Sequence, residues 1–384
     1  MYQYISTPNT QQLERLGEIV CQCFGSLLSE WQPYLNRIGG ENFRIITRQE
    51  QTIGGLAIYH MGQWFGGESL PMAGIAAVGV APEYRGQGVA NRLLKQTIQE
   101  LYRQQIPISA LYPATQIPYR QVGYEQGGSY CKWKLPTASI QLRERDLTLE
   151  RIEISDRRIA DIYRQQSRLN NGNLERNRAI WESVLEPPKE GTLYAYLIGS
   201  PDRPEGYITF TQEKKQIEIA DWALLSAAAA KRVWTFQGDH RSQIEEVTWW
   251  GSPVNPFLLL LPEQSAIVEK QENWMLRVID LATALTKRGY PPELSAELHL
   301  EVRDELLPTN NGKFRLQVCQ GKGKIERGGN GDFQLNIRHF ASLYTGFLSP
   351  IQLKQLNYLQ APPAALATAS LIFTGDRPWM PDFF

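Results

Sequence analysis

The sequence predicts an α+β protein with mixed sheets, built as three successive domains at residues 1–140, 141–272 and 273–384. Three observations lead there. At 384 residues the chain exceeds what one ordinary hydrophobic core organises. A strand, a glycine-bearing turn and an amphipathic helix stand together at residues 77–99, and a similar order of strands and helix returns, without that turn, at residues 193–236. Near Asn273 the pattern changes to a helix followed by alternating strands.

Composition narrows the class. With 42% hydrophobic, 21% charged and 10% aromatic residues, the chain reads as soluble and globular. Lys+Arg and Asp+Glu stand at 40 each, a balance that argues against bulk attraction to nucleic acid or to an anionic membrane. The longest apolar runs, such as residues 257–261, are far too short to cross a bilayer. Residues 1–7 show neither a basic lead nor an apolar stretch of signal length, so cytoplasm is the expected location. Cys21, Cys23, Cys131 and Cys319 form no CxxC pair, and His60, His240, His299 and His339 are scattered. Buried free thiols and a site without metal are expected.

In the first domain, Leu13, Leu16, Ile19, Val20, Phe24 and Leu27 recur at helical spacing and predict a helix over residues 10–28. Residues 43–47 and 53–60 read as a hairpin around the polar turn 49–52, and residues 72–80 as the next strand. That strand carries Val78, Gly79 and Val80, breaks at Pro82, and leads through Arg85-Gly86-Gln87-Gly88 into a helix with Val89, Leu93, Leu94, Ile98 and Leu101 on one face. The first turn of a helix has backbone N–H groups without intrahelical partners, and its dipole makes that end partly positive. Gly86 and Gly88 let a ligand approach the backbone and Arg85 adds a fixed charge, so a pyrophosphate fits there.

The run Val78-x-Val80-x-Pro82-x-x-Arg85-x-x-Gly88-x-Ala90 ahead of an amphipathic helix resembles the acetyl-coenzyme A signature of the GNAT superfamily of N-acetyltransferases. The resemblance implies acetyl-CoA as cosubstrate. Val78, Gly79 and Val80 would run along its pantetheine arm, and Arg85, Gly86, Gln87, Gly88, Val89 and Ala90 would surround its pyrophosphate. After a strand at residues 108–111, the segment Tyr119-Arg120-Gln121-Val122-Gly123-Tyr124 resembles the Tyr-x-x-x-Gly-[Tyr/Phe] segment of Eis-type (enhanced intracellular survival) acetyltransferases. There the first tyrosine is the proposed general acid, a role that falls on Tyr119. A phenol with a reference pKa of about 10 is protonated at neutral pH and can donate to a departing thiolate. A packing tyrosine hydrogen-bonded at a loop is the competing reading.

Residues 141–153 are charged and read as a connection between domains. Two helical patterns follow in residues 157–185 around a turn at 169–173, then strands at 193–198, 206–211 and 217–222 and a helix at 223–236. This order mirrors the first domain, with Trp222 and the alanines after it where a coenzyme turn would be, so a second acetyltransferase-like domain without a cradle is expected. In the third domain a helix is predicted over residues 274–285, with Met275, Val278, Ile279 and Ala282 on one side. Strands at 296–302, 314–319 and 331–336, helical segments at 339–344 and 350–359, and an apolar run at 367–373 complete it. The arrangement resembles the sterol-carrier-protein-like domain that closes Eis-type chains.

The tail Asp376-Arg-Pro-Trp-Met-Pro-Asp-Phe-Phe384 is aromatic and proline-stiffened, unlike a frayed polar terminus. By the Eis resemblance the Phe384 α-carboxylate is the general base of the first domain's site; Trp379, Phe383 and Phe384 can equally serve as an apolar anchor. The segment Met61-Gly-Gln-Trp-Phe-Gly-Gly67 resembles a recurring Eis loop, and Phe24, Glu30, Trp31, Trp64 and Phe65 are candidate lining for an amine pocket, each also an ordinary core or surface residue. The resemblance implies transfer of acetyl to a primary amine of an aminoglycoside, a polyamine or a lysine side chain, by a homo-oligomer, a hexamer in that family. A lipid or sterol carrier and a non-catalytic coenzyme-binding scaffold are the competing classes, and thiol release with an amine panel separates them from the enzyme.

Overall fold

The computed structural model describes residues 1–189 and 191–384. They form two compact units, one of Met1–Gly128 with Asn273–Asp376 and Phe383–Phe384, the other of Ser129–Glu272 with Arg377–Asp382.

The first unit begins with β1 (Tyr2–Ile5), α1 (Thr10–Phe24) and α2 (Trp31–Ile38). Then come β2 (Phe43–Arg48), β3 (Gln51–Phe65), β4 (Glu68–Val80), α3 (Val89–Arg103), β5 (Ile108–Leu111), α4 (Ile117–Arg120) and the start of β6 (Glu125–Pro136). Strands β1 to β4 are successive antiparallel neighbours and β5 joins β4 in parallel. A capping box at Asn9 and Gln12 starts α1, and Gly25 in the left-handed region (φ 69°) stops it four residues before the predicted end. Strands β3 and β4 outrun their predicted lengths because much of each is buried on both faces, which erases the alternation that marks a half-buried strand. Leu93, Leu94, Ile98 and Leu101 of α3 pack with Leu56, Ile58, Ala73 and Ile75 of β3 and β4 in one core.

The second unit takes up the rest of β6 and continues with β7 (Leu149–Ile152), α5 (Arg157–Ser167), β8 (Leu174–Glu175) and α6 (Arg178–Val184). It is completed by β9 (Leu193–Ser200), β10 (Arg203–Glu213), β11 (Gln216–Leu224), α7 (Ala227–Asp239) and β12 (Glu246–Gly251). The strand order is β6, β12, β11, β10, β9, β7, with β11 and β12 parallel. Residues 141–153 are therefore more than a connection, because Leu149–Ile152 pair with β9. Their outward charges hid the strand. Trp222, Trp234 and Trp249 meet edge-on or tilted in this unit's core.

The chain returns with β13 (Ile267–Val278), α8 (Leu281–Lys287), β14 (Ala296–Arg303), β15 (Gly312–Cys319), β16 (Lys322–Arg327) and β17 (Phe333–Asn336). It closes with α9 (Ile337–Thr345), α10 (Pro350–Gln355), β18 (Leu359–Gln360) and α11 (Pro363–Ile372). The helix predicted over residues 274–285 is a strand up to Val278: Met275, Leu276, Arg277 and Val278 pair antiparallel with β5. Trp274 to Val278 are all fully buried, and a short run buried on every side shows neither the helical nor the strand period. Strand β16, a charged edge of a five-stranded sheet ordered β16, β15, β14, β17, β18, also escaped prediction. Inside this part the Arg288 guanidinium lies over the rings of Tyr290, Tyr344 and Phe373 at 4.9–5.2 Å. No described helix is long and apolar enough to cross a membrane.

Candidate active site

The site is built on the divergence of two strands in the first unit. β4 and β5 pair at Met72 with Ile108, Ala73 with Ser109 and Gly74 with Ala110; β5 then stops at Leu111 while β4 runs on to Val80. On the other edge of β4 the register with β3 steps from Ala76 opposite Ala57 to Gly79 opposite Gly55, so β4 carries one extra residue, and Ala77 sits at φ 49°. This is a β-bulge, which bends a strand and breaks its ladder. Beyond Gly74, the β5-facing edge of β4 has no strand partner among the described residues, and its backbone is available to a ligand. The start of the wedge is pinned by the buried Ser109 hydroxyl, which donates to the Ala73 carbonyl at 2.7 Å and shares a 2.7 Å hydrogen bond with the Tyr124 hydroxyl.

At the far end of β4 the chain turns into α3. Gly88 is the N-cap at φ 75°, no side chain caps the helix start, and Gly86 is also left-handed at φ 74°. A Cβ added at either glycine meets nothing within 4 Å. A cavity of about 190 Å³ opens there, lined among others by Val80, Arg85, Gly86, Gly88, Pro118 and Gln121. Uncapped N–H groups, glycines and open space suit the pyrophosphate of a coenzyme. The Arg85 guanidinium lines the cavity and also braces the turn: Nε donates to the Val80 carbonyl at 3.2 Å and Nη2 lies 3.1 Å from the Cys23 Sγ. Gln87 turns its amide to the Glu83 carbonyl at 3.1 Å, whereas Asn91 donates to Gln121 at 3.1 Å and ties α3 to the segment after α4.

Tyr119 lies on α4 between two cavity-lining residues, Pro118 and Gln121. Its ring is 8% exposed and meets Tyr124 edge-on at 6.1 Å. Burial pushes its hydroxyl up to about 12, so the phenol is protonated throughout the neutral range.

Phe384 rests on β4 at the point where pairing with β5 ends. A Cβ at Gly74 would come within 2.6 Å of the Phe384 ring. The ring is 5.6 Å from that of Tyr59 and 6.1 Å from that of Tyr112, and Phe383 lies 4.8 Å from Tyr112. Tyr59 shares a hydrogen bond with Tyr34, and burial raises both phenols. β4 thus brings together Phe384 at Gly74, the edge without a strand partner at Val78, Gly79 and Val80, and the turn to Ala90, while Tyr119 is buried in the core that packs against β4 and α3.

Of the candidate amine-pocket residues, Trp31 adjoins the aromatic group at Phe384 through Tyr34 and Tyr59, whereas Trp64 and Phe65 lie at the far end of β3. Phe24 is exposed at the end of α1, and Glu30 is exposed just before α2. Trp31 is buried against Tyr34 and Phe43 at 5.9 and 5.3 Å. Phe65 is fully buried edge-on to Tyr344 at 5.3 Å, and with the buried Trp64 it closes the β3–β4 hairpin. That hairpin end is six residues along β3 from Tyr59, roughly 20 Å away. The residues that do stand around Phe384, namely Tyr59, Tyr112 and Gly74, were missed. A glycine inside a strand is a signal of close approach, and Gly74 carried it.

Comparison with known proteins identifies the family. Residues 5–127 and 172–278 each match the acetyltransferase (GNAT) domain, and residues 281–381 match the sterol carrier protein domain. The crystal structure of a GCN5-related N-acetyltransferase from Anabaena variabilis is 48% identical, with both chains covered in full and a TM-score of 0.98. One from Kribbella flavida is 27% identical over 100% of this chain and 98% of its own, with a TM-score of 0.88. A Streptomyces griseus protein named as an uncharacterized N-acetyltransferase is 24% identical over 83% of each chain. The N-acetyltransferase Eis of Mycobacterium tuberculosis is 22% identical over 66% of this chain and 65% of its own. The chain belongs to the GCN5-related N-acetyltransferases, with tandem acetyltransferase domains, a closing sterol-carrier-like domain and Eis-type proteins among its relatives. It is an N-acetyltransferase, of a class that uses acetyl-CoA.

Proposed function

We propose that the chain transfers acetyl from acetyl-CoA directly to a primary amine of an aminoglycoside, a polyamine or a lysine side chain, with Tyr119 as general acid and the Phe384 carboxylate as general base. The observation that carries this reading is the convergence in one unit of an open helix start, a stretch of β4 without a strand partner, a buried phenol and the Phe384 ring. Acetyl-CoA supplies the thioester. The turn Arg85–Ala90 holds its pyrophosphate, and a β4 N–H near Val78 to Val80 polarises its carbonyl. The free amine attacks the carbonyl, the Phe384 carboxylate takes the proton that the nitrogen loses as the N–C bond forms, and Tyr119 gives one to the sulfur as the C–S bond breaks; solvent returns the proton from the carboxyl to the phenolate.

Thiol release against aminoglycosides, polyamines and lysine peptides tests the reading. Turnover with at least one amine is expected, and coenzyme binding without transfer to any of them would leave the scaffold. A chain extended by one glycine after Phe384 is expected to bind acetyl-CoA normally and lose turnover; undiminished turnover removes the terminal base. On the same resemblance the enzyme works in the cytoplasm as a homo-oligomer, a hexamer, which light scattering checks.

A further inference from the structure

The second unit has a helix start in the position of the coenzyme cradle, but it is closed. The Ser226 hydroxyl accepts from the Ala229 N–H and donates to a carboxylate, Glu205, at 2.5 Å. What this unit holds is residues 377–382. The Ser129 N–H donates to the Pro378 carbonyl at 3.1 Å, and the Trp379 N–H donates to the Asn171 carbonyl at 3.0 Å. The Asn173 amide donates to the Trp379 carbonyl at 3.0 Å, and the Trp379 indole N–H donates to Asn170 at 3.1 Å.

The segment then ends in a buried ion pair. Arg176 donates from Nε to Asp382 Oδ1 at 2.9 Å, with Nη2 2.8 Å from the same oxygen; both side chains are 1% exposed. The same guanidinium bonds Asp221 at 2.6 and 3.0 Å, and the Tyr207 hydroxyl donates to Asp221 at 2.5 Å. The guanidinium plane is covered by the rings of Tyr163 and Trp181 at 3.7 and 4.6 Å. Every nitrogen of Arg176 is engaged. A buried pair of this kind adds little stability over apolar packing, but breaking it is costly, so its effect is to select one arrangement. A slip of one residue would set Pro381 or Phe383 against the guanidinium and leave it short of a partner. Phe384 is two residues beyond Asp382, and two extended residues span at most about 7 Å.

We propose that the second unit is a holder for residues 377–382, in which Arg176 and Asp382 lock the register of the tail and so position the Phe384 carboxylate for catalysis. The role given to the carboxylate rests on the terminal-base reading above; the lock itself does not. Arg176 and Asp382 are positioning residues, remote from the reacting atoms.

Three full-length variants test this: Asp382→Asn, one glycine inserted between Asp382 and Phe383, and one glycine added after Phe384. Each is measured for kcat and KM with acetyl-CoA and the fastest amine of the panel, for acetyl-CoA affinity by titration, and for release of C-terminal residues by carboxypeptidase A. The insertion leaves every group of the lock in place and moves the carboxylate by about one residue, so kcat is expected to fall about 100-fold with acetyl-CoA affinity within about twofold. Asp382→Asn is expected to lower kcat at least about tenfold without changing KM for acetyl-CoA, and to speed carboxypeptidase release at least about tenfold. Wild-type kcat in the insertion variant overturns the proposal, as does Asp382→Asn with wild-type kcat and release. Should Asp382→Asn fail to fold, the insertion variant decides alone. Full turnover after the terminal glycine addition would instead remove the base reading, while the carboxypeptidase rate still reports whether the lock holds the tail.

Discussion

Tyr119 keeps its proton because its ring is sunk among apolar side chains. Tyr119→Phe preserves the ring and its edge contact with Tyr124, so it is expected to leave the unfolding midpoint nearly unchanged and lower kcat by about 10²–10⁴, read from thiol release. In the proposed role the acid form is the active one, and its proton is lost only as pH rises through about 12, so no fall in kcat below pH 10 is expected from this group, checked by the kcat–pH profile. Tyr119 could be proposed from the sequence because it sits in a short contiguous motif. Tyr59, Tyr112 and Gly74 were not, because the seat of Phe384 is assembled from β3, β4, the end of β5 and the tail. Gly74→Ala would drive a methyl into the Phe384 ring and the Met61 methyl; kcat is expected to fall with acetyl-CoA affinity retained.

Two helix starts, α3 and α7, differ in how their first N–H groups are used. At α3 a left-handed glycine leaves the first N–H groups uncapped; at α7 a serine and a glutamate fill the place. Gly88→Ala forces a side chain into φ 75°, at about 1–2 kcal/mol, and puts its methyl into the cavity, so acetyl-CoA affinity is expected to drop at least about tenfold by titration. A second element-level device joins α4, β6 and α9. Glu125 receives hydrogen bonds from Arg120 at 2.8 Å and Arg338 at 2.6 Å. Burial pushes its carboxyl up, but those bonds pull it further down, and the net shift is below the usual carboxylate range. Its folded pKa lies below the unfolded value of about 4.3, so its stabilisation is present above that pH and is lost as pH falls through the folded pKa. Glu125→Gln is expected to cost about 2 kcal/mol at pH 7 and to flatten the acid dependence of the unfolding midpoint.

The first unit is discontinuous. The chain leaves it at Gly128 and returns at Asn273, and Met275 to Val278 become the outer partner of β5. Residues 1–140 expressed alone lack that strand, the core residues Met275 and Ile279, and the Arg338 partner of Glu125. They are expected to show no cooperative thermal transition and to bind a hydrophobic dye, whereas the full chain unfolds cooperatively, measured by circular dichroism and fluorescence.

The strand–turn–helix geometry of the proposed coenzyme cradle could be read from residues because its parts are contiguous: a strand, two glycines and a helix start lie within fourteen positions, and local sequence dictates local backbone. Strand β13, the aromatic seat of Phe384 and the Arg176–Asp382 lock were decided by packing between segments up to 325 positions apart, the separation of Tyr59 and Phe384. Contacts of that kind leave no period in the sequence. A buried strand looks like a buried helix, and an arginine that will grip the tail looks like any surface arginine until the fold removes its water.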